Sequence, residues 1–221
     1  ITMTADDKVT ADVVIQITGQ VILDDGYWIA TDPEPPIEEI KYGYLYNWYA
    51  ATDVRGIAPS GYHVPTSAEI NTLISFVGSG NANDLKETGV DYWVSPNNLA
   101  TDLYGFKLRG AGARYWIDGS FNSLSFECNL GEVIYLMTSD GLFLSRVLHN
   151  SNFINGTPVA PNIGGSIRCI RDTVNGWIPG DQVADHDGNI YDTVQIGAQV
   201  WMVQNLVVAH YNDGSIIPEV T

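Results

Sequence analysis

Basic residues are scarce in this chain: 10 Lys and Arg stand against 26 Asp and Glu in 221 residues, a formal net charge of −16. Such a surface repels phosphate backbones and anionic lipid heads, so nucleic acid and membrane surfaces are poor partners. No uninterrupted apolar run approaches the roughly 20 residues of a membrane-spanning helix, and membrane insertion is not expected. Cys128 and Cys169 are the only cysteines, and they read either as one disulfide in an oxidising compartment or as two small buried thiols. No His-x-x-x-His or Cys-x-x-Cys spacing gathers His63, His149, His186 and His210 into a metal motif, and no Gly-x-Ser-x-Gly marks a nucleophile. The chain starts at Ile1 with neither Met nor a signal-like stretch, as expected of a processed product or a fragment of something longer.

What the chain does have is core-forming material. Hydrophobic residues make up 45% and aromatics 11%, enough for one large domain or one domain with a small appendage. Residues 9–18 and 20–23 alternate branched and polar side chains in the period of a strand, with Gly19 and Asp24-Asp25-Gly26 as turns. The Pro-rich stretch 33–39 reads as a stiff linker, so residues 1–37 form a β-rich N-terminal segment and linker, and 38–221 form the main domain. One helix is clearly signalled. Thr66 and Glu69 make a capping box ahead of the apolar stripe Ile70, Leu73, Ile74 and Val77, and Gly78 ends it. A second short helix is expected around Asp84-Leu85-Lys86-Glu87, stopped by Gly89. From Tyr92 to Arg171 the texture is of short strands separated by Gly, Asn, Asp and Ser, and residues 189–196 and 199–202 add strand-like runs. The expected class is α+β: many short antiparallel strands and long loops with one or two helices.

Three blocks carry a family resemblance: Tyr42-Gly43-Tyr44-Leu45-Tyr46-Asn47-Trp48-Tyr49-Ala50-Ala51, the stretch from Ala58 to Glu69, and Ser166-Ile167-Arg168-Cys169-Ile170-Arg171-Asp172. Together they resemble the Fibrobacter succinogenes major paralogous domain over residues 42–172 and 183–219. That resemblance implies a C-type-lectin-like fold, as in formylglycine-generating enzymes and the variable proteins of diversity-generating retroelements, on a secreted or surface-displayed protein. The order of parts differs from the family pattern. Residues 183–221 look like the usual opening of the domain, yet here they follow its closing motif. Either the domain is circularly permuted, or the chain is cut from a tandem array. We favour a permuted or neighbour-completed domain, because an orphan segment carrying Trp201 and Met202 would expose a large apolar patch.

In this fold the segment before the closing strand forms the ligand face, here 113–163. The candidate binding residues are Arg114, Tyr115, Trp116, Asp118, Ser120, Phe121, Asn122, Tyr135, Ser139, Asp140, His149, Asn150, Asn152 and Asn155. Rigid rings beside Asn and Ser suit a glycan or a protein receptor on a cell surface. Trp116, Phe121 and Tyr135 have core positions as their alternative. Asp185, Asp187 and Asn189 imitate the start of a calcium loop, but Ile190 and Ile196 stand where an EF-hand needs Gly and Glu. They read as another calcium site or as an Asp-Gly-Asn turn, so calcium is the one possible cofactor. The triplets of calcium-dependent sugar sites are missing. His63 reads as a hydrogen-bonded structural histidine. The expected function is extracellular recognition or adhesion without catalysis, as in a phage tail fibre or a bacterial surface protein. The alternatives are a fibre subunit that self-associates by exchanging terminal strands, and an oxidase of the formylglycine-generating type, which needs two reactive cysteines.

Overall fold

The computed structural model describes residues 27–29, 41–97, 99–114, 130–140, 143–152, 154–158 and 161–218. Among the described residues, ten strands, all paired antiparallel, and two α-helices give an α+β architecture. Strands β1 (Tyr27–Ile29) and β2 (Tyr44–Tyr46) form one pair. A three-stranded meander joins β4 (Val133–Leu136), β5 (Phe143–Leu148) and β6 (Ile154–Pro158). The largest sheet runs in the order β3 (Tyr62–His63), β7 (Ile170–Arg171), β10 (Gln199–Met202), β9 (Ile190–Ile196) and β8 (Gln182–Ala184). Tyr27–Ile29 belongs to the segment read as 1–37, so that segment contributes a strand to β2, while most of it lies outside the described residues.

The alternation of side chains along buried strands divides the interior in two. On β4, Val133 and Tyr135 point into one apolar cluster with Tyr46, Ile57, Cys169, Met202, Leu206 and Tyr211. Ile134 and Leu136 point the other way, into a second cluster with Ile70, Leu73, Trp93, Phe106 and Trp201. Successive strand residues face opposite sides, and β7 and β10 repeat the split: Cys169 and Met202 lie on one side, Ile170 and Trp201 on the other. A strand buried on both faces is written as a continuous apolar run without visible alternation, which is how β4 and, after Gln199, β10 read.

The helix α2 (Ser67–Val77) starts at the expected capping box, with Glu69 N donating to Thr66 Oγ1 at 3.3 Å and Thr66 N to the Glu69 carboxylate at 2.8 Å. Its stripe Ile70, Leu73 and Val77 is buried in the second cluster. The aromatic block hides a further helix, α1 (Trp48–Thr52), capped by the Asn47 side chain, which accepts from Ala50 N at 2.9 Å. The short helix expected at 84–87 is absent. Ala82–Asp84 makes one 3-10 turn, after which Lys86 forms an isolated parallel bridge with Leu108; burial of Leu85 and Lys86 against neighbouring loops overrides the helical tendency.

The segment from 182 onward closes on its own chain. β10 sits between β7 and β9, with Trp201 opposite Ile170, and the Trp201 ring meets Phe106 edge-on at 6.0 Å. Beyond it, Asn205 donates to Tyr42 O at 2.7 Å and accepts from Arg168 Nε at 2.8 Å, and Tyr44 N donates to Leu206 O at 3.0 Å. A side chain on Gly43 would have its Cβ 2.5 Å from that of Asn205, so only glycine allows this close crossing.

Candidate binding surface

In an antiparallel meander successive turns lie at opposite ends of the sheet, and this separates residues that the sequence placed on one face. Ser139 and Asp140 belong to the β4–β5 turn, which docks on the start of α2. Ser139 N donates to Pro65 O at 2.9 Å, and Asp140 Oδ1 accepts from both Ser67 N and Ser67 Oγ at 2.8 and 2.7 Å. Burial works against the Asp140 charge, but the Ser67 hydrogen bonds outweigh it and hold the carboxyl below the usual range. His149, Asn150 and Asn152 belong to the β5–β6 turn at the other end.

Tyr135 is not at the surface. It is 2% exposed, because β4 carries core on both faces. Arg114 is half-buried and pairs backbone to backbone with Gly164, and burial pulls its guanidinium down to about 9. Tyr115, Trp116, Asp118, Ser120, Phe121 and Asn122 lie outside the described residues, as do Cys128 and the side chain of Asn155.

Around the β5–β6 turn several segments converge. His149 N donates to Glu132 O at 2.8 Å, and Ala82 N to Asn152 O at 2.8 Å. His149 Nδ1 lies 3.2 Å from Pro96 O, and since a carbonyl only accepts, Nδ1 carries the proton. Val94 N donates to Gly131 O at 2.9 Å. The turn is held from inside by Lys86, which is fully buried. Its ammonium donates to the carbonyls of His149, Ser151 and Leu148 at 3.1, 3.3 and 3.5 Å, with the Trp93 ring 5.8 Å away. Burial pulls this lysine down to about 8. Nothing in Leu85-Lys86-Glu87 distinguishes it from a solvated helix lysine, and the sequence reading missed it.

The 94–103 loop, described except for Asn98, leaves from this end. Leu99 and Asp102 hold left-handed φ of 48° and 47°, and Lys107 beyond them 50°. Each costs on the order of 1 kcal/mol for a residue with a Cβ, so the surroundings must enforce it. They do so through Thr101 N to Asn83 O at 2.9 Å, Lys107 N to Asp102 Oδ1 at 2.8 Å, and the buried Arg168, which donates to Phe106 O and to Lys107 O. On that braced backbone Leu99 and Leu103 are 76% and 65% exposed, and Asn150 is exposed on the β5–β6 turn, which His149 links to the loop through Pro96. The surface thus offers apolar tips and amide groups on a pre-set backbone.

Elsewhere the polar clusters are structural. His63 bridges Asp172 at 2.7 Å and Glu69 at 2.9 Å. Burial opposes its charge, but the two carboxylates outweigh that and raise it above the ordinary histidine value. Asp185 is buried, and its carboxylate accepts from Asp187 N, Asn189 N, Asn189 Nδ2 and Tyr191 Oη. Those donors use the oxygens a calcium ion would need. Asp185 and Asn189 thus close a hydrogen-bonded turn, and no group of three or more His, Cys, Asp or Glu that could hold a metal occurs among the described residues. Cys169 is a free, fully buried thiol, and burial pushes its pKa up, so it offers no thiolate at neutral pH.

The family model described as the Fibrobacter succinogenes major domain matches residues 11–171. The chain belongs to that family. No curated protein and no solved structure matches it. The matched Fibrobacter succinogenes major domain ends at Arg171, the last residue of β7, yet β8, β9 and β10 lie beyond it in the same sheet. No helix among the described residues is long and apolar enough to cross a membrane.

Proposed function

We propose that this Fibrobacter succinogenes major domain is an extracellular recognition module with a C-type-lectin-like fold and no catalytic role. It binds a glycan or a protein on a cell surface, as a phage tail fibre or a bacterial adhesin does. In this proposal the domain is permuted, and the segment 183–221 supplies the strands that elsewhere open it. The proposed binding end comprises the 94–103 loop and the β5–β6 turn, and the sequence adds Tyr115 and Trp116 as candidate ligand contacts.

The observation that carries the proposal is the pairing of exposed Leu99, Leu103 and Asn150 with the buried cations Lys86 and Arg168, which fix the backbone beneath them. A pre-set backbone lowers the ordering cost of binding, and apolar tips beside amides can cover a sugar face and bond its rim. The test is binding of the full chain to a glycan array and to bacterial and host cell surfaces. A Leu99→Ala/Leu103→Ala double variant, Asn150→Ala and a Tyr115→Ala/Trp116→Ala double variant should each weaken binding about tenfold or more. Binding that all three variants leave intact refutes the assignment.

A further inference from the structure

Two turns far apart in sequence bring a pair of histidines together on the surface. The first is the Asp185–Asn189 turn, closed by Asp185 N donating to Asn189 O at 3.0 Å; the second is the hairpin in which Tyr211 N donates to Ser215 O at 2.8 Å and Ile217 N to Ala209 O at 2.8 Å. Asp187 fastens one to the other: its Oδ2 accepts from Ala209 N at 2.6 Å, and its Oδ1 lies 2.7 Å from His210 Nδ1. The ring of His186 then lies 6.4 Å from that of His210, tilted by 47°.

We propose that His186 and His210 form a two-imidazole site for a divalent ion of the zinc, nickel or copper class, with water completing its shell. A carboxylate only accepts, so His210 carries its proton on Nδ1, and Nε2 keeps its lone pair for a ligand. A carboxylate behind the far nitrogen is the arrangement that fixes the tautomer and raises the basicity of metal-binding histidines. His186 is exposed, and its Nε2 faces Gly214, where a side chain's Cβ would come within 3.6 Å of that nitrogen. Metal–nitrogen bonds of about 2.0–2.1 Å need the rings at this separation or somewhat closer, within reach of side-chain rotation on exposed residues.

The donor set also selects the ion. Both oxygens of Asp187 are engaged, so the free ligands are neutral nitrogens, which suit zinc, nickel and copper and not calcium. With two protein ligands the site falls below the three-residue clusters of closed structural metal centres, so it is an exchangeable surface site. The net charge of −16 raises the local cation concentration around it. Occupancy would pin the β8–β9 turn to the hairpin that ends the described chain.

The experiment is titration of the full chain with zinc chloride or nickel chloride alone, read by calorimetry and by the imidazole nitrogen resonances, with calcium chloride as a separate arm. We expect one equivalent of zinc or nickel to bind, moving His186 and His210 while leaving His63 and His149 in place. His186→Ala and His210→Ala should each weaken binding at least about tenfold, and Asp187→Asn by a similar factor through His210. Should Asp187→Asn disturb the turn, His210→Gln removes the ligand while leaving Asp187 itself in place. Absence of heat and of shifts at about 1 mM metal, binding retained by the double histidine variant, or displacement of zinc by calcium would each overturn the assignment.

Discussion

Replacing Lys86 with Met tests how a buried charge holds the proposed binding end. Two effects oppose each other. Lowering the lysine pKa from 10.5 to about 8 means that burial disfavours its charged form by about 3 kcal/mol, which the variant recovers. Against that, the carbonyls of Leu148, His149 and Ser151 lose their donor, at about 1 kcal/mol or more each. The sums nearly cancel, so global stability at neutral pH should change by no more than about 2 kcal/mol, whereas the turn loosens. Hydrogen exchange should quicken selectively at the amides of Ala82, His149 and Ile154, whose bonds fasten this turn. The pH dependence separates charge from packing. Between about 8 and 10.5 the unfolded chain holds the Lys86 proton more tightly than the folded one, so this group makes stability rise with pH. Its contribution is complete above 10.5 and lost as pH falls through about 8. Denaturant titrations from pH 7.5 to 10 should show wild type gaining on Lys86→Met by up to about 3 kcal/mol. Parallel curves, with unchanged exchange in the turn, would refute the assignment of Lys86 as a buried ammonium.

Further expectations follow from the same contacts. Trp201→Ala leaves a cavity against Phe106 and should cost about 3–5 kcal/mol in denaturant unfolding. Removing residues 177–221 strips ten buried apolar side chains, eight of them from the two clusters, on the order of 15–30 kcal/mol. That exceeds the roughly 5–15 kcal/mol of a whole domain. The truncated chain should show no cooperative unfolding until a 177–218 peptide is added, and a stable monomer from residues 1–176 alone would contradict the fold. His63, raised by Asp172 and Glu69, contributes stability that is complete below its ordinary value of 6.5 and lost as pH rises through its folded value. His63→Gln should flatten the stability profile there, as followed by thermal unfolding. Glu69→Gln should also cost up to about 1 kcal/mol through the capping box.

The parts of the fold that the sequence discloses are those decided locally. Thr66 and Glu69 announce α2 because a cap is a three-residue contact, and Gln199–Met202 is read as a strand with its observed bounds. Tyr135 shows where local pattern fails. A strand buried on both faces has no polar side to betray which way a tyrosine points, so aromatic character passed for surface. Helix α1 was hidden for a related reason, since its aromatic residues drew the eye and the cap is a single asparagine, Asn47. Ser139 and Asp140 part from His149 and Asn150 through the antiparallel turn geometry, which composition does not encode. Lys86 and Arg168 depend on segments 60 or more residues away for their carbonyl partners, and a one-dimensional reading has no access to those.

The hydroxyl of Tyr46 is tied to Val208 O at 2.8 Å across 162 positions of sequence. Synthesis must therefore pass Val208 before this contact and the core around it can close. Until then the nascent product exposes an unfinished interior to chaperones and proteases, and assembly is all-or-none. A stop before residue 208 should therefore leave a product whose core stays open, recognisable by its sensitivity to proteolysis.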